Sequence, residues 1–181
     1  RQLSNGNDTQ LRGNSLVLTI DEGLQYIVEE ELDHVMEKWK SSRAVAIMMN
    51  PFTGEILAMA SRPTYDPNNL SDSNNSERRN RAITDLYEPG STFKLITAAG
   101  ALEKGVVTPA TPINCRMGSI KVGKWTISDV HKYGILSFKD VIKKSSNVGS
   151  ITVGLKLGYK ELHKYARNFG FSVKTGIDLP G

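Results

Sequence analysis

One cysteine and three histidines are all the thiol and imidazole that 181 residues provide. A lone Cys115 cannot close an intrachain disulfide, so stability must come from packing, and the redox compartment is left open. His34, His131 and His163 are scattered without ligand spacing, which gives no metal site and no zinc chemistry. No stretch approaches the ~20 consecutive apolar residues of a membrane-spanning helix. Charge of one sign is also scarce, since 23 Lys and Arg against 19 Asp and Glu leave a net charge of +4. The one basic cluster, Arg78-Arg79-Asn80-Arg81, is short and not interleaved with aromatics, which argues against nucleic acid as a partner.

With metals, disulfides and cofactors set aside, the chemistry left is that of hydroxyls, amines and carboxylates. The segment Glu88-Pro89-Gly90-Ser91-Thr92-Phe93-Lys94-Leu95-Ile96-Thr97-Ala98-Ala99-Gly100-Ala101-Leu102-Glu103-Lys104-Gly105 concentrates it. Pro89 and Gly90 mark a chain turn, the run from Thr92 to Leu102 favours helix, and Gly105 is a natural stop. The helix is therefore expected to begin near Ser91. Residues three apart share a helix face, so the Ser91 hydroxyl and the Lys94 amine point to the same side. A neutral lysine can take a serine proton, and both burial and a helix N-terminus favour the neutral form. The same residues also suit a plain helix cap and a solvated lysine, a reading weakened by the apolar flanks and by this being the only Ser-x-x-Lys in the chain.

A second segment, Lys143-Lys144-Ser145-Ser146-Asn147-Val148-Gly149, falls where a helix over Ser137–Lys144 ends and another over Val148–Leu157 begins. In structural terms Ser145 closes the first and Asn147 caps the second. Two decoys fall away. Gly118 to Lys124 has phosphate-loop spacing but meets Trp125 where a metal-binding hydroxyl is required. Asp129 and His131 offer the ingredients of a Ser-His-Asp triad, yet Pro89 and Phe93 occupy the glycine positions of a nucleophile elbow, so both residues are assigned to loop structure.

Ser-x-x-Lys opening an apolar helix, followed by Ser-x-Asn at a turn between helices, is the pattern of penicillin-binding proteins and serine β-lactamases. The run Arg81 to Lys94 resembles the active-serine region of class B penicillin-binding proteins, the monofunctional peptidoglycan D,D-transpeptidases. So do Leu18-Thr19-Ile20-Asp21, Asn50 to Met59, Ser145 to Gly149 and Thr175 to Gly181, in the order that family shows. The resemblance covers roughly Gly13 to Gly181.

It implies an α+β fold of the serine β-lactamase/D,D-transpeptidase type, with an antiparallel sheet, flanking helices and a helical subdomain, present here only in part. By position, Ser91 would attack the carbonyl between two terminal D-alanines of a stem peptide, Lys94 would accept its proton and Ser145 would relay one to the leaving amine. Asn147 would hold Lys94 and the substrate amide. A second stem peptide would resolve the acyl-enzyme into a crosslink, and β-lactam antibiotics would acylate the same serine. No cofactor is implied. Expected partners are stem peptides, β-lactams, the rest of the same domain and proteins of a division or elongation complex. A serine β-lactamase, a β-lactam sensor domain, or a non-catalytic scaffold module of a cell-wall complex are the alternative functions.

The family's third motif, a Lys-Thr/Ser-Gly on a strand, is not assigned to Lys174-Thr175-Gly176, which lacks the following hydroxyl and sits in a loop-like context. That motif is expected beyond Gly181. Residues 1–16 read as a linker from a preceding domain and 17–181 as the N-terminal portion of the transpeptidase domain, inactive and unstable by itself. The resemblance further implies the extracytoplasmic face of the bacterial cytoplasmic membrane and an anchoring helix that lies outside this sequence.

Capping and periodicity place the local elements. Asp21 caps an amphipathic helix over 21–40, with Leu24, Ile27, Val28, Leu32, Val35, Met36 and Trp39 at spacings of three and four. Ala44–Met49 and Glu55–Ser61 form a hairpin around Asn50-Pro51-Phe52-Thr53-Gly54, and 62–80 is a polar surface loop. A small hairpin is expected over Ile113–Thr126, and helices over 137–145, 148–157 and 159–168, the last two divided by Gly158.

Overall fold

The computed structural model describes residues 14–179, so most of the expected linker over 1–16 lies outside the described residues. The chain divides into two compact units, one running up to Leu86 and one spanning Tyr87–Asp178.

The first unit is built from helix α1 (Glu22–Trp39), strands β1 (Ala44–Met49) and β2 (Ile56–Arg62), and the short helix α2 (Arg81–Thr84). Asp21 caps α1 by accepting the Leu24 N–H at 2.9 Å, and Lys40 ends it in a left-handed conformation. The strands pair antiparallel, Ala44 opposite Arg62, with an irregularity at Met48/Met49 next to the turn. The helix is tied to β2 through Gln25, whose amide donates to Met59 O at 3.1 Å and accepts the Met59 N–H at 2.8 Å. Arg62, buried, donates from Nε to Asp33 Oδ1 at 2.6 Å, which holds the Asp33 carboxyl below the usual range. Only part of the expected apolar stripe is covered. Leu32 is buried, while Ile27, Val35 and Trp39 stay exposed, as do Val45, Ile47 and Met49 on β1. Among the described residues β1 pairs with β2 alone.

The second unit holds α3 (Lys94–Glu103), β3 (Pro112–Asn114), β4 (Ser119–Val122), β5 (Trp125–Ser128), β6 (Ile135–Ser137), α4 (Phe138–Lys143), α5 (Asn147–Leu157) and α6 (Tyr159–Asn168). Its core is Ala98 and Ala101 of α3 with Val107, Ile113, Cys115, Ile120, Phe138, Val141, Val148 and Val153. Burying its Val, Ile and Phe side chains stabilises by roughly 1.5–3 kcal/mol each. Cys115 is fully buried and acts here as a small apolar filler. Glycines allow the helices to approach closely. A Cβ on Gly149 would lie 2.7 Å from Val141 Cγ1, and one on Gly100 would lie 2.9 Å from Leu157 and Tyr165.

The expected hairpin over Ile113–Thr126 is corrected. Strands β4 and β5 form the hairpin, Ser119 opposite Ser128, whereas Ile113 pairs with Leu136 of β6. That second pairing joins segments far apart in sequence, and no turn signal between neighbours announces it. The phosphate-loop-like residues 118–124 belong to β4 and its turn, with no helix following. Lys174-Thr175-Gly176 lies on irregular chain and not on a strand. No helix among the described residues is long and apolar enough to cross a membrane.

Candidate active site

The approach to α3 is not a simple helix start. Gly90–Phe93 forms a tight 3₁₀ turn, and the α-helix proper begins at Lys94. Gly90 has φ 58°, and a Cβ there would meet nothing within 4 Å, so the backbone conformation rather than space calls for glycine. Thr92 donates its hydroxyl to Pro89 O at 2.6 Å and tightens the turn. Ser91 is left exposed on its outer side, and Lys94 half-buried behind it.

Three of the residues singled out from sequence meet here. Lys94 Nζ lies 3.2 Å from Ser91 Oγ and 2.8 Å from Ser145 Oγ, and donates to the Ser145 carbonyl at 2.5 Å. Ser145 Oγ in turn lies 3.0 Å from Ser91 Oγ. Two hydroxyls and an amine thus form a closed triangle through which a proton can pass in either direction. Burial pushes the Lys94 amine below the ordinary lysine range, opposed by the negative charge of Asp129. The neutral amine is the form able to accept a hydroxyl proton.

Ser145 reaches the triangle because the chain reverses there. Its φ is 54°, in the left-handed region, between the end of α4 and the start of α5. Its N–H donates to Ile142 O at 3.0 Å, and the Ser146 N–H donates to Val141 O at 2.9 Å. Ser146, not Asn147, caps α5 by accepting the Gly149 N–H at 2.9 Å. Serine and asparagine are equally good caps by type, so their order along the turn was decided by tertiary placement.

Asn147 stands apart from the triangle. Its Nδ2 donates to Ser128 O at 3.1 Å, and the Lys94 amine bonds to Ser91 and Ser145 instead. The expected contact from Asn147 to Lys94 is therefore replaced by the Ser145 carbonyl. Asn147 nevertheless lines two cavities. The smaller, about 170 Å³, also touches Ser91, Asp129, Tyr133, Lys144 and Ser145. The larger, about 630 Å³ and mainly apolar, runs past Phe93, Lys94, Thr97 and Ser150.

Sequence reasoning passed over Asp129. Assigned to loop structure, it does lie on a loop after β5, but its carboxylate accepts the Ser146 hydroxyl at 2.6 Å and the N–H groups of Asn147 and Val148. The partners lie 17 to 19 positions away, so no local pattern signals them. Engagement with α5 also separates Asp129 from any triad with His131, whose ring packs edge-on to Tyr133.

Comparison with known proteins identifies the family. Relatives include a probable peptidoglycan D,D-transpeptidase PenA of Neisseria flavescens, 34% identical over 97% of this chain and 43% of that protein. Another is the peptidoglycan D,D-transpeptidase FtsI of Buchnera aphidicola subsp. Schizaphis graminum, 40% identical over 93% of this chain and 29% of that protein. The chain spans less than half the length of both relatives. The apo TP domain of penicillin-binding protein 3 from Burkholderia pseudomallei superposes with a TM-score of 0.78 at 29% identity, covering 91% of this chain and 45% of that one. The α+β fold is thereby that of a transpeptidase domain, in part. Residues 44–181 match the penicillin binding protein transpeptidase domain, and the chain belongs to that family.

Proposed function

We propose that this chain carries the acylating centre of a serine-type peptidoglycan D,D-transpeptidase. One observation carries the reading: Ser91, Ser145 and the half-buried Lys94 meet within hydrogen-bond distance at the start of α3. Ser91 is the nucleophile, and Lys94 takes its proton as Oγ attacks the carbonyl between the terminal D-alanines of a stem peptide. Ser145 passes that proton to the departing amine. Backbone N–H groups, that of Ser91 among them, meet the charge of the tetrahedral oxyanion. An amine from a second stem peptide then takes the acyl group and closes a crosslink. β-Lactams acylate the same hydroxyl. Asn147, lining both cavities, is assigned to the substrate amide.

The reading extends to the setting. The enzyme works at the extracytoplasmic face of the membrane, anchored there, with stem peptides, β-lactams and cell-wall complex proteins as partners. The relatives named as peptidoglycan D,D-transpeptidases support this. Residues 17–181 form the N-terminal portion of the transpeptidase domain, after a linker over 1–16. Among the described residues no strand offers Lys-Thr-Gly to Ser91, so these residues alone are proposed to be inactive.

Treating the full-length protein with a fluorescent penicillin tests the proposal. The label should be covalent, long-lived and located on Ser91 by peptide mass spectrometry, and Ser91→Ala should abolish it. Labelling that survives Ser91→Ala removes the nucleophile. Rapid release of the label points to a β-lactamase instead, and no labelling at all to a scaffold module.

A further inference from the structure

We propose that Asp129 is the positioning residue of this centre: its carboxylate ties the Ser145–Asn147 turn to the end of β5 and so decides where Ser145 meets Lys94. The inference rests on the reading of Ser91 and Lys94 given above.

Asp129 is itself anchored, its N–H donating to Gly118 O at 2.9 Å. Both carboxylate oxygens are used. Oδ2 accepts the Ser146 hydroxyl at 2.6 Å, and Oδ1 accepts the N–H groups of Asn147 and of Val148, the latter at 3.1 Å. These are the first N–H groups of α5, which have no partner inside the helix and carry its partial positive charge. Ser146 is only 1% exposed, so its hydroxyl depends on a protein acceptor, and Asp129 is the one it has. Its hydroxyl gives its proton to Asp129 and a lone pair to the Gly149 N–H, so removing the acceptor at 129 leaves a buried hydroxyl proton unpaired and the cap free to rotate.

The residue before the cap is the one that matters for chemistry. Ser145 sits at φ 54°, a left-handed conformation that is unfavourable for a residue with a Cβ and persists only under external restraint. The end of α4 restrains it on one side, and Asp129 on the other through Ser146 and Asn147. Asp129 makes no hydrogen bond to Ser91 or Lys94, so it acts through the turn and, at longer range, as a negative charge that Lys94 feels. Asparagine in its place has the right shape, but its NH₂ must face either the Asn147 and Val148 N–H donors or the Ser146 hydroxyl, which then loses its acceptor.

The test uses the full-length protein carrying Asp129→Asn or Asp129→Ala, with non-covalent penicillin binding resolved from the acylation step by stopped flow. The acylation rate constant is expected to fall about a hundredfold, the scale of a 1 Å misplacement, with a smaller loss of non-covalent affinity through Asn147. The acid limb of the acylation pH profile should also move to lower pH, because Lys94 loses its attracting anion. His131, Tyr133 and Lys144, the other titratable groups lining that cavity, are left in place. Should neither variant fold, Ser146→Ala, which breaks the link while keeping the carboxylate, is expected to slow acylation in the same direction. Acylation at the wild-type rate in the folded variants overturns the proposal. So does a loss that follows only the melting temperature with the acid limb unmoved. A wild-type protein that penicillin acylates, beside an unaffected Asp129 variant, refutes this inference alone; a wild-type protein that resists acylation refutes the reading of Ser91 and this inference with it.

Discussion

Ser145 holds Lys94 at two points, the amine donating to its hydroxyl at 2.8 Å and to its carbonyl at 2.5 Å. In the proposed mechanism the side chain carries the proton path and the backbone the placement, so the two functions can be separated by mutation. Ser145→Ala is expected to leave the amine in position yet slow acylation by about 10²–10⁴, the usual worth of a proton-transfer group. Ser145→Gly should lose as much activity without loss of stability, because a glycine adopts φ 54° freely. Wild-type acylation in either variant, measured by penicillin labelling over time, would remove Ser145 from the proton path.

Lys94→Arg separates base from cation. Arginine keeps the charge and much of the length but stays protonated, so it cannot accept the Ser91 proton. Intact-mass spectrometry after penicillin treatment should show no adduct, as for Lys94→Ala. An adduct forming readily with Arg would mean that Lys94 acts by charge alone.

Burial is the leading influence on Lys94, and it lowers the pKa. In the proposed mechanism the neutral form is the base, so a lowered pKa enlarges the competent fraction at neutral pH, and acylation should rise with pH along a limb below the ordinary lysine range. Stability carries the same sign, since the unfolded chain binds the proton more tightly and folding gains as pH rises from the folded pKa toward the unfolded one. A limb at the position of a free lysine, in the pH dependence of the acylation rate constant, would contradict the geometry.

Gly149→Ala tests the packing behind the turn. The added Cβ would lie 2.7 and 2.8 Å from the Val141 methyls and 3.1 Å from Cys115 Sγ, all in the core. Overpacking of this kind costs about 1–3 kcal/mol. Because α5 begins two residues earlier, the displacement should also reach Ser145 and slow acylation. Equal melting temperatures for variant and wild type would show that α4 and α5 can part without cost.

Expressed alone, residues 1–181 are expected to associate rather than melt as a cooperative monomer. Val45, Ile47 and Met49 of β1 are 42%, 49% and 53% exposed, and strand edges of this kind invite pairing with other chains. Light scattering and calorimetry check this, and a sharp monomeric transition would count against it.

Local signals were legible residue by residue. The Asp21 cap, the Asn50 to Gly54 turn and Gly158 each act within a few positions, and α1, the β1–β2 hairpin and the boundary of α5 with α6 follow them closely. Ser91 and Lys94 were legible for the same reason, being one turn apart. The pairing of β3 with β6 was not, and neither was Asp129, because each depends on segments brought together by the core rather than by neighbours along the chain.

By itself the sequence determined the pairing of Ser91 with Lys94, the helix entrance that carries it and the family whose motifs surround it, since those rest on residue types at short spacing. Only tertiary structure decided that the Ser145 carbonyl, and not Asn147, receives the Lys94 amine, and that a loop carboxylate at 129 closes the turn. The physical reason is that a left-handed residue between two helices aims its carbonyl and hydroxyl by the packing of α4 against α5, a direction that no local spacing encodes.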